Sequence, residues 1–303
     1  MLAYFYSVLR KNERRAQMQV DRATVSGDGF IYNMTEILMR FCDPFMDSSH
    51  SKVDRISQTF FRGRSKIDIS KVTRICAPKE VIDGYASSEA SPESTNFISE
   101  IFFLTLGFHH IGVSRMYVDY KRFMKDFYEM RDQYDRLKEQ ETAGQLSAEN
   151  GLLIQRYEAQ LDKMITFRLS LESQIMDPII LGHSFQFYNL AMVWLLRLVD
   201  PAQAYPRGPI KLPLPPRPSD DFAILPEYIF EDIVEFFIFV LRHSPETVAS
   251  STLDELVTFT MVFLTTPGYI KNPHLKAKLV EVTSFLHSRF SIISCGIDRD
   301  FRG

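Results

Sequence analysis

Few residues in this chain have the type and spacing that chemistry requires. His109 and His110 are adjacent inside an apolar run. Neighbouring positions on a helix point in different directions, so one imidazole faces the core and the other faces away. The pair therefore reads as structural histidines and not as converging metal ligands. The three cysteines, Cys42, Cys76 and Cys295, lie far apart. An odd, sparse set makes neither a disulfide framework nor a zinc spacing, and free thiols suit a reducing compartment. A thioester-forming nucleophile needs a setting that stabilises the thiolate. Cys42 falls at a helix C-terminus, where the helix dipole disfavours an anion, and Cys295 falls in the tail.

The run Ser26-Gly27-Asp28-Gly29 has turn chemistry, with glycine for positive φ and Asp to bond its own backbone. With no strand before it and no Lys-Ser/Thr after it, it is not a phosphate-cradling loop. His-Glu-x-x-His, Cys-x-x-Cys and Gly-x-Ser-x-Gly do not occur. The charged set Asp126, Glu129, Arg131, Asp132, Asp135 and Arg136 reads as a solvated helix face. No catalytic, cofactor-binding or metal-ligating residue is assigned, and no cofactor is expected.

Helices dominate the pattern that would position any site. Residues 1–18 read as a helix with Leu2, Phe5, Tyr6, Leu9 and Met18 on one side. Phe30 to Phe41 is the next, with Ile31, Met34, Ile37, Leu38 and Phe41 inward. Lys66 to Ser70 alternates and Val72 to Ile75 could oppose it, which predicts a small β-hairpin or an extended excursion. Ser87 to Thr95 is a Ser- and Glu-rich stretch expected to be an exposed, mobile loop.

Asn96 is placed to cap a long helix bent at Gly107 and Gly112. Val113, Met116, Tyr120, Phe123, Phe127, Met130, Tyr134 and Leu137 then repeat at spacings of three and four. That is the seam of a helix packed in coiled-coil fashion. Gly144 breaks it and Ser147 can cap the return, which carries Leu153, Tyr157, Leu161, Met164, Leu171 and Ile175. Arg168 interrupts that stripe. The pair predicts an antiparallel hairpin about 40 Å long at 1.5 Å per residue. Asp177-Pro178 opens a further helix. Seven prolines between 201 and 218 then make an extended connector. It reads as a loop between helical layers, the alternative being a recognition segment for an aromatic-lined groove.

From Pro226 to Leu286 three helices follow. The first is apolar nearly all round, with Glu231, Asp232 and Glu235 as its wet strip, so it is a core helix. Its acids and its length do not suit a bilayer. Thr252 and Glu255 form a capping-box pattern for the second, with Leu253, Leu256, Val257, Met261, Phe263 and Leu264 inward. Asn272-Pro273 opens the third, with Leu275, Leu279, Val280, Phe285 and Leu286 inward. The expected class is all-α, an armadillo-like helical solenoid segment with a long antiparallel hairpin. The net charge of −3 argues against a nucleic-acid binder, which normally carries a basic excess. At the N-terminus the basic cluster Lys11, Arg14 and Arg15 follows the apolar run, the wrong order for a secretory signal.

Several stretches together resemble the core of the ubiquitin chain-elongation factors, the U-box ubiquitin ligases. They include Asn12, Arg14, Arg15, Gln19 to Asp21, Val25 to Phe30, Arg40, Pro44 to Asp47, Lys52 to Ile56 and Ile67-Asp68. Asn96 to Thr105 is closer still, as are Pro226-Glu227, Leu256-Val257 and Asn272 to Leu279 with Glu281. The resemblance covers about residues 10–287, which assigns residues 1–287 to a partial core domain, and 288–303 reads as a divergent tail without a helical apolar period.

The resemblance implies a ubiquitin transferase that forms no covalent intermediate and acts in chain elongation and proteasomal degradation, including that of proteins extracted from the endoplasmic reticulum. The implied partners are a ubiquitin-conjugating enzyme docked on a U-box, ubiquitinated substrates, an AAA segregase of the valosin-containing type and ubiquitin-like-domain shuttle proteins. The implied location is cytoplasm and nucleus, with neither nucleic acid nor membrane as partner. The chain itself reads as a middle segment without the U-box, serving as scaffold. The competing expectation is a non-catalytic helical-repeat adaptor.

Overall fold

The computed structural model describes residues 1–17, 20–62, 66–87, 95–144, 148–249 and 253–300, and side chains within helices are described except at 86–87, 148–150, 248–249 and 288–300. Helices form every layer, and no strand occurs among the described residues. In chain order they are α1 (Leu2–Asn12), α2 (Asp28–Cys42), α3 (Lys79–Ser87), α4 (Phe97–His109), α5 (Arg115–Thr142), α6 (Ala148–Ile175), α7 (Pro178–Val199), α8 (Asp220–Ala223), α9 (Glu227–His243), α10 (Pro245–Ala249), α11 (Asp254–Thr265) and α12 (Pro273–Asp300). A π-helical turn, His110–Ser114, joins α4 to α5 without a break, so Phe97–Thr142 is one 46-residue helix.

The core sits where α4, α7 and α9 meet. Helices α1 and α2 pack on α4, while α11 packs on α7 and α12 on α9. Aromatic rings knit these layers. Trp194 of α7 lies 5.5 Å from Phe102 and 5.4 Å from Phe103 of α4, and Tyr188 lies 4.8 Å from Phe236 of α9. Offset and edge-on rings of this kind add about 0.5–1.5 kcal/mol per pair beyond the area they bury. Helix α7 and the Phe97–Thr142 helix are long and apolar enough to cross a membrane, and their apolar windows are 67% and 78% buried inside this core.

The expected helix starts are present with their chemistry. Asn96 Oδ1 accepts from the Ser99 amide at 2.8 Å, and Asp177 Oδ1 accepts from the Ile179 and Ile180 amides at 2.9 and 3.1 Å. Asn272 Oδ1 accepts from the His274 amide at 2.9 Å. Each satisfies donors that the first turn leaves unpaired. Pro226 occupies the cap of α9 and not its first turn.

A Cβ on Gly107 would lie 2.9 Å from Leu9 Cδ2, and one on Gly112 would lie 2.8 Å from Ile31 Cγ2. They are contact points at which α1 and α2 approach the long helix closely. The expected turn at 26–29 is shorter, because Gly27 is the cap and Asp28 already stands in the first turn of α2, where the helix dipole favours an acid. Helix α1 ends at Asn12 and a 3₁₀ turn follows at Glu13–Ala16; Met18 lies outside the described residues.

The hairpin expected at 66–75 does not form. The Asp68 carboxylate accepts from the Ser70 amide at 2.9 Å, and Val72 N donates to Ile69 O at 3.1 Å, so the chain turns before two strands can align. Its extended end pairs elsewhere. Arg74 bridges Pro226, Ile75 N donates to Leu225 O at 3.0 Å, and Glu227 N donates to Thr73 O at 2.8 Å.

Helices α5 and α6 form the expected antiparallel hairpin. Its register differs at the tip, where Ile154 is buried and Leu153 is exposed. Arg168 is accommodated by its planarity: its guanidinium sits 5.9 Å from the Phe127 ring and Nε donates to Glu172 at 2.7 Å. Elsewhere Ile37, Met261 and Val280, expected inward, are exposed, and Met39, Val262 and Val282 take the core. The proline-rich connector is pinned and not freely extended. Asp200 caps its start through the Ala202 and Ala204 amides, at 3.1 and 2.8 Å, and Leu214 is buried. The backbone stays helical through Asp300, beyond the expected end of the last helix. The Ser147 cap, the Thr252 capping box and most of the 87–95 loop lie outside the described residues.

Candidate functional site

The residues singled out for possible chemistry are held in settings that suppress it. His109 is fully buried, stacked 5.2 Å from Phe187, with Nε2 3.3 Å from Met39 Sδ. Burial alone pulls its pKa down to about 3, so the ring is neutral. His110 is not turned away from the protein. It stacks 4.1 Å from Tyr228, and Nδ1 lies 3.0 Å from the Asp232 carboxylate of α9. Asp232 was expected on the wet strip and is instead 6% exposed. A buried carboxylate is costly unless paired, and His110 is the partner that the π turn brings to it. The two histidines thus serve two different helix–helix seams.

Cys42 is buried, with Sγ 3.4 Å from Thr105 Oγ1, and burial pushes its thiol up to about 12. Burial raises Cys76 to about 11. Neither supplies a thiolate near neutral pH. Cys295 lies outside the described side chains. Among the described residues no three His, Cys, Asp or Glu side chains converge as metal ligands would.

One polar constellation escaped the sequence reading as a unit. Arg15 is 1% exposed. Its guanidinium bonds Asp28 and the Ser26 carbonyl, and Nε donates to the Ile111 carbonyl at 3.0 Å. Arg22 pairs with Asp28 at 3.0 Å and with Asp119 at 2.7 Å, and Arg115 pairs with Asp119 at 3.0 Å. The network locks the N-terminal segment to α2 and to the π turn. The turn residues Ser26 and Asp28 were visible in sequence; that their partner is Arg15 required the fold. Planar bidentate geometry suits Arg for such a buried junction.

Open hollows also occur among the described residues, two of which matter for function. One of about 650 Å³ lies at the start of α4, lined by Asp54, Arg55, Asn96, Phe97, Arg197 and Gln203 among others. The second, of about 540 Å³, lies between α1 and the 67–72 segment, with Tyr228 and His110 at its inner end. Both are shaped to receive a group from outside, and neither holds a nucleophile beside a base.

The family model described as the ubiquitin elongating factor core matches residues 1–296. A ubiquitin conjugation factor E4 of Schizosaccharomyces pombe is 32% identical over 94% of this chain and 28% of its own length. A probable ubiquitin conjugation factor E4 of Arabidopsis thaliana is 28% identical over 100% of this chain and 32% of its own length. The E4 ubiquitin-protein ligase UFD2 of Saccharomyces cerevisiae is 27% identical over 94% of this chain and 32% of its own length. The chain therefore spans about a third of these relatives, and the family match runs past residue 287 into the stretch expected to diverge. A match over nearly its whole length, by one family model and by relatives from fungi and a plant, places this chain in the ubiquitin elongating factor core family.

Proposed function

We propose that this chain is the helical scaffold segment of a ubiquitin–ubiquitin ligase that elongates ubiquitin chains. The observation that carries the reading is the family match over residues 1–296. It is supported by the printed function of the relatives, a conjugation factor and a ubiquitin-protein ligase. The segment positions and does not transfer: the described cysteines are buried with raised pKa values, so neither carries a thioester. The armadillo-like stacking of its helices belongs to the same proposal. So do a role in proteasomal degradation, a place in cytoplasm and nucleus, and partnership with a conjugating enzyme, ubiquitinated substrates, an AAA segregase and ubiquitin-like-domain shuttle proteins.

A reconstituted chain-forming reaction with activating enzyme, conjugating enzyme, ubiquitin and ATP tests the reading. Residues 1–303 alone are expected to add nothing to the background of the conjugating enzyme. Replacing the matched segment of the S. pombe relative with residues 1–303 is expected to preserve chain elongation. Elongation by the isolated segment, or a folded but inactive chimera, would overturn the proposal; the second outcome is the one a non-catalytic adaptor predicts.

A further inference from the structure

The hollow between α1 and the 67–72 segment gathers a local excess of positive charge. Arg10, Lys11, Arg14 and Lys71 line it, and all four are exposed. Several cations elsewhere on this protein meet carboxylates, as Arg40 meets Glu36 at 3.0 Å, Arg207 meets Asp54 at 3.1 Å and Lys278 meets Glu235 at 2.7 Å. None of the four forms an ion pair or a side-chain hydrogen bond with a described residue.

The hollow's own carboxylates do not neutralise them at contact distance. Arg10 and Lys71 act on Glu13, and Lys71 acts on Asp68, only through space and without an ion pair, while Asp68 also accepts from the Ser70 amide at 2.9 Å. A fifth cation stands behind. Arg74 feels Tyr228 and Asp68, which both line the hollow, and its Nη1 is buried without a hydrogen-bond partner. A buried guanidinium nitrogen left unbonded is costly. Between the charges the floor is apolar, formed by Leu9, Val72 and Ile111.

We propose that this hollow is a docking site for an acidic linear segment of a partner protein, its carboxylates meeting the Arg10, Lys11, Arg14 and Lys71 rim and one apolar side chain entering the floor. Charge complementarity selects this occupant. Local excess positive charge on a chain of net charge −3 attracts a short acidic segment. A nucleic acid is the poorer occupant, because a chain of net charge −3 does not carry the basic excess that nucleic-acid binding normally uses. The proposal does not depend on the ligase reading.

The test uses the whole chain and a fluorescein-labelled dodecapeptide of Asp and Glu with a central Leu, read by fluorescence anisotropy. Saturable binding is expected, weakening at least tenfold in the Arg14→Glu/Lys71→Glu double variant and weakening as salt rises. Lys125→Glu, on the far hairpin, is expected to leave binding unchanged. Because Arg14 and Lys71 are exposed, circular dichroism should show the double variant folded. Methyl resonances of Val72 and Ile111 should shift on titration. Absence of binding, equal loss with Lys125→Glu, unmoved Val72 and Ile111 methyls, or tighter binding of a single-stranded oligonucleotide than of the peptide would each overturn the proposal.

Discussion

At the scale of single residues, the fold is decided by a few close approaches. Gly112 and Gly107 look alike in sequence, and their neighbours separate them. The Cβ of an alanine at 112 would press on Ile31 Cγ2 at 2.8 Å and on Thr35 Oγ1 at 3.3 Å. Ile31 is β-branched and fully buried, so it has no free rotamer to yield. At 107 the obstacle is the terminal methyl of Leu9, which can turn aside, and alanine there brings better helix propensity. Gly112→Ala is therefore expected to destabilise by about 1–3 kcal/mol, the usual range for overpacking, and Gly107→Ala by clearly less. Thermal or urea unfolding of the two variants checks the order. The buried charges follow the same logic: Arg15 and Asp232 are tolerated because each is met by its partner at once.

At the scale of elements, the π turn is the joint that matters. It offers the Ile111 carbonyl to Arg15 and His110 to Asp232 of α9. Burial would lower the imidazole pKa, but the Asp232 carboxylate 3.0 Å away outweighs it and holds His110 above its ordinary value of 6.5. A base whose folded pKa is raised contributes stability that is full below its unfolded pKa and is lost as pH rises through the folded value. Burial likewise raises Asp232, so its titration has the same sign. The melting temperature is thus expected to fall as pH rises above the ordinary imidazole value of 6.5, and His110→Gln should flatten that slope. A melting series in matched buffers measures both. The hairpin α5–α6 behaves differently, as a two-helix layer with one cored seam. Met116, Tyr120, Phe127, Ile154 and Leu161 are buried, while Tyr128, Leu152, Phe167 and Leu169 are exposed.

At the scale of the molecule, one continuous apolar core runs from α1 to α12, with α9 at its centre. Phe237 is fully buried between Phe185 and Phe236, at 5.5 and 5.2 Å. Phe237→Asp is expected to unfold or aggregate the chain, since an unpaired buried charge costs about 3–5 kcal/mol, a large part of a domain's total stability. A soluble variant with an unchanged circular dichroism melt would show that α9 is not the spine described here.

The sequence by itself determined the helical class, the α5–α6 hairpin, the caps at Asn96, Asp177 and Asn272, and the burial of α9. These follow from local rules: apolar period, side chains that satisfy first-turn amides, and prolines that fix a start. Its family resemblance, carried by short motifs in a shared order, agreed with the match over residues 1–296. Tertiary structure alone decided the rest. Period cannot tell which apolar residue of a pair faces in when partners lie on several sides, so Met39 and Val282 displaced Ile37 and Val280. It cannot see that a strand-like run lacks a neighbour to align with, as at 66–75, where the pairing partner lies at 225–227. Above all, it cannot pair charges across the chain. Asp232 looks solvated until the π turn sets His110 against it, and Arg10, Lys11, Arg14 and Lys71 look like ordinary surface until the fold gathers them around one hollow. Such contacts depend on distance in space, and sequence separation does not encode that distance.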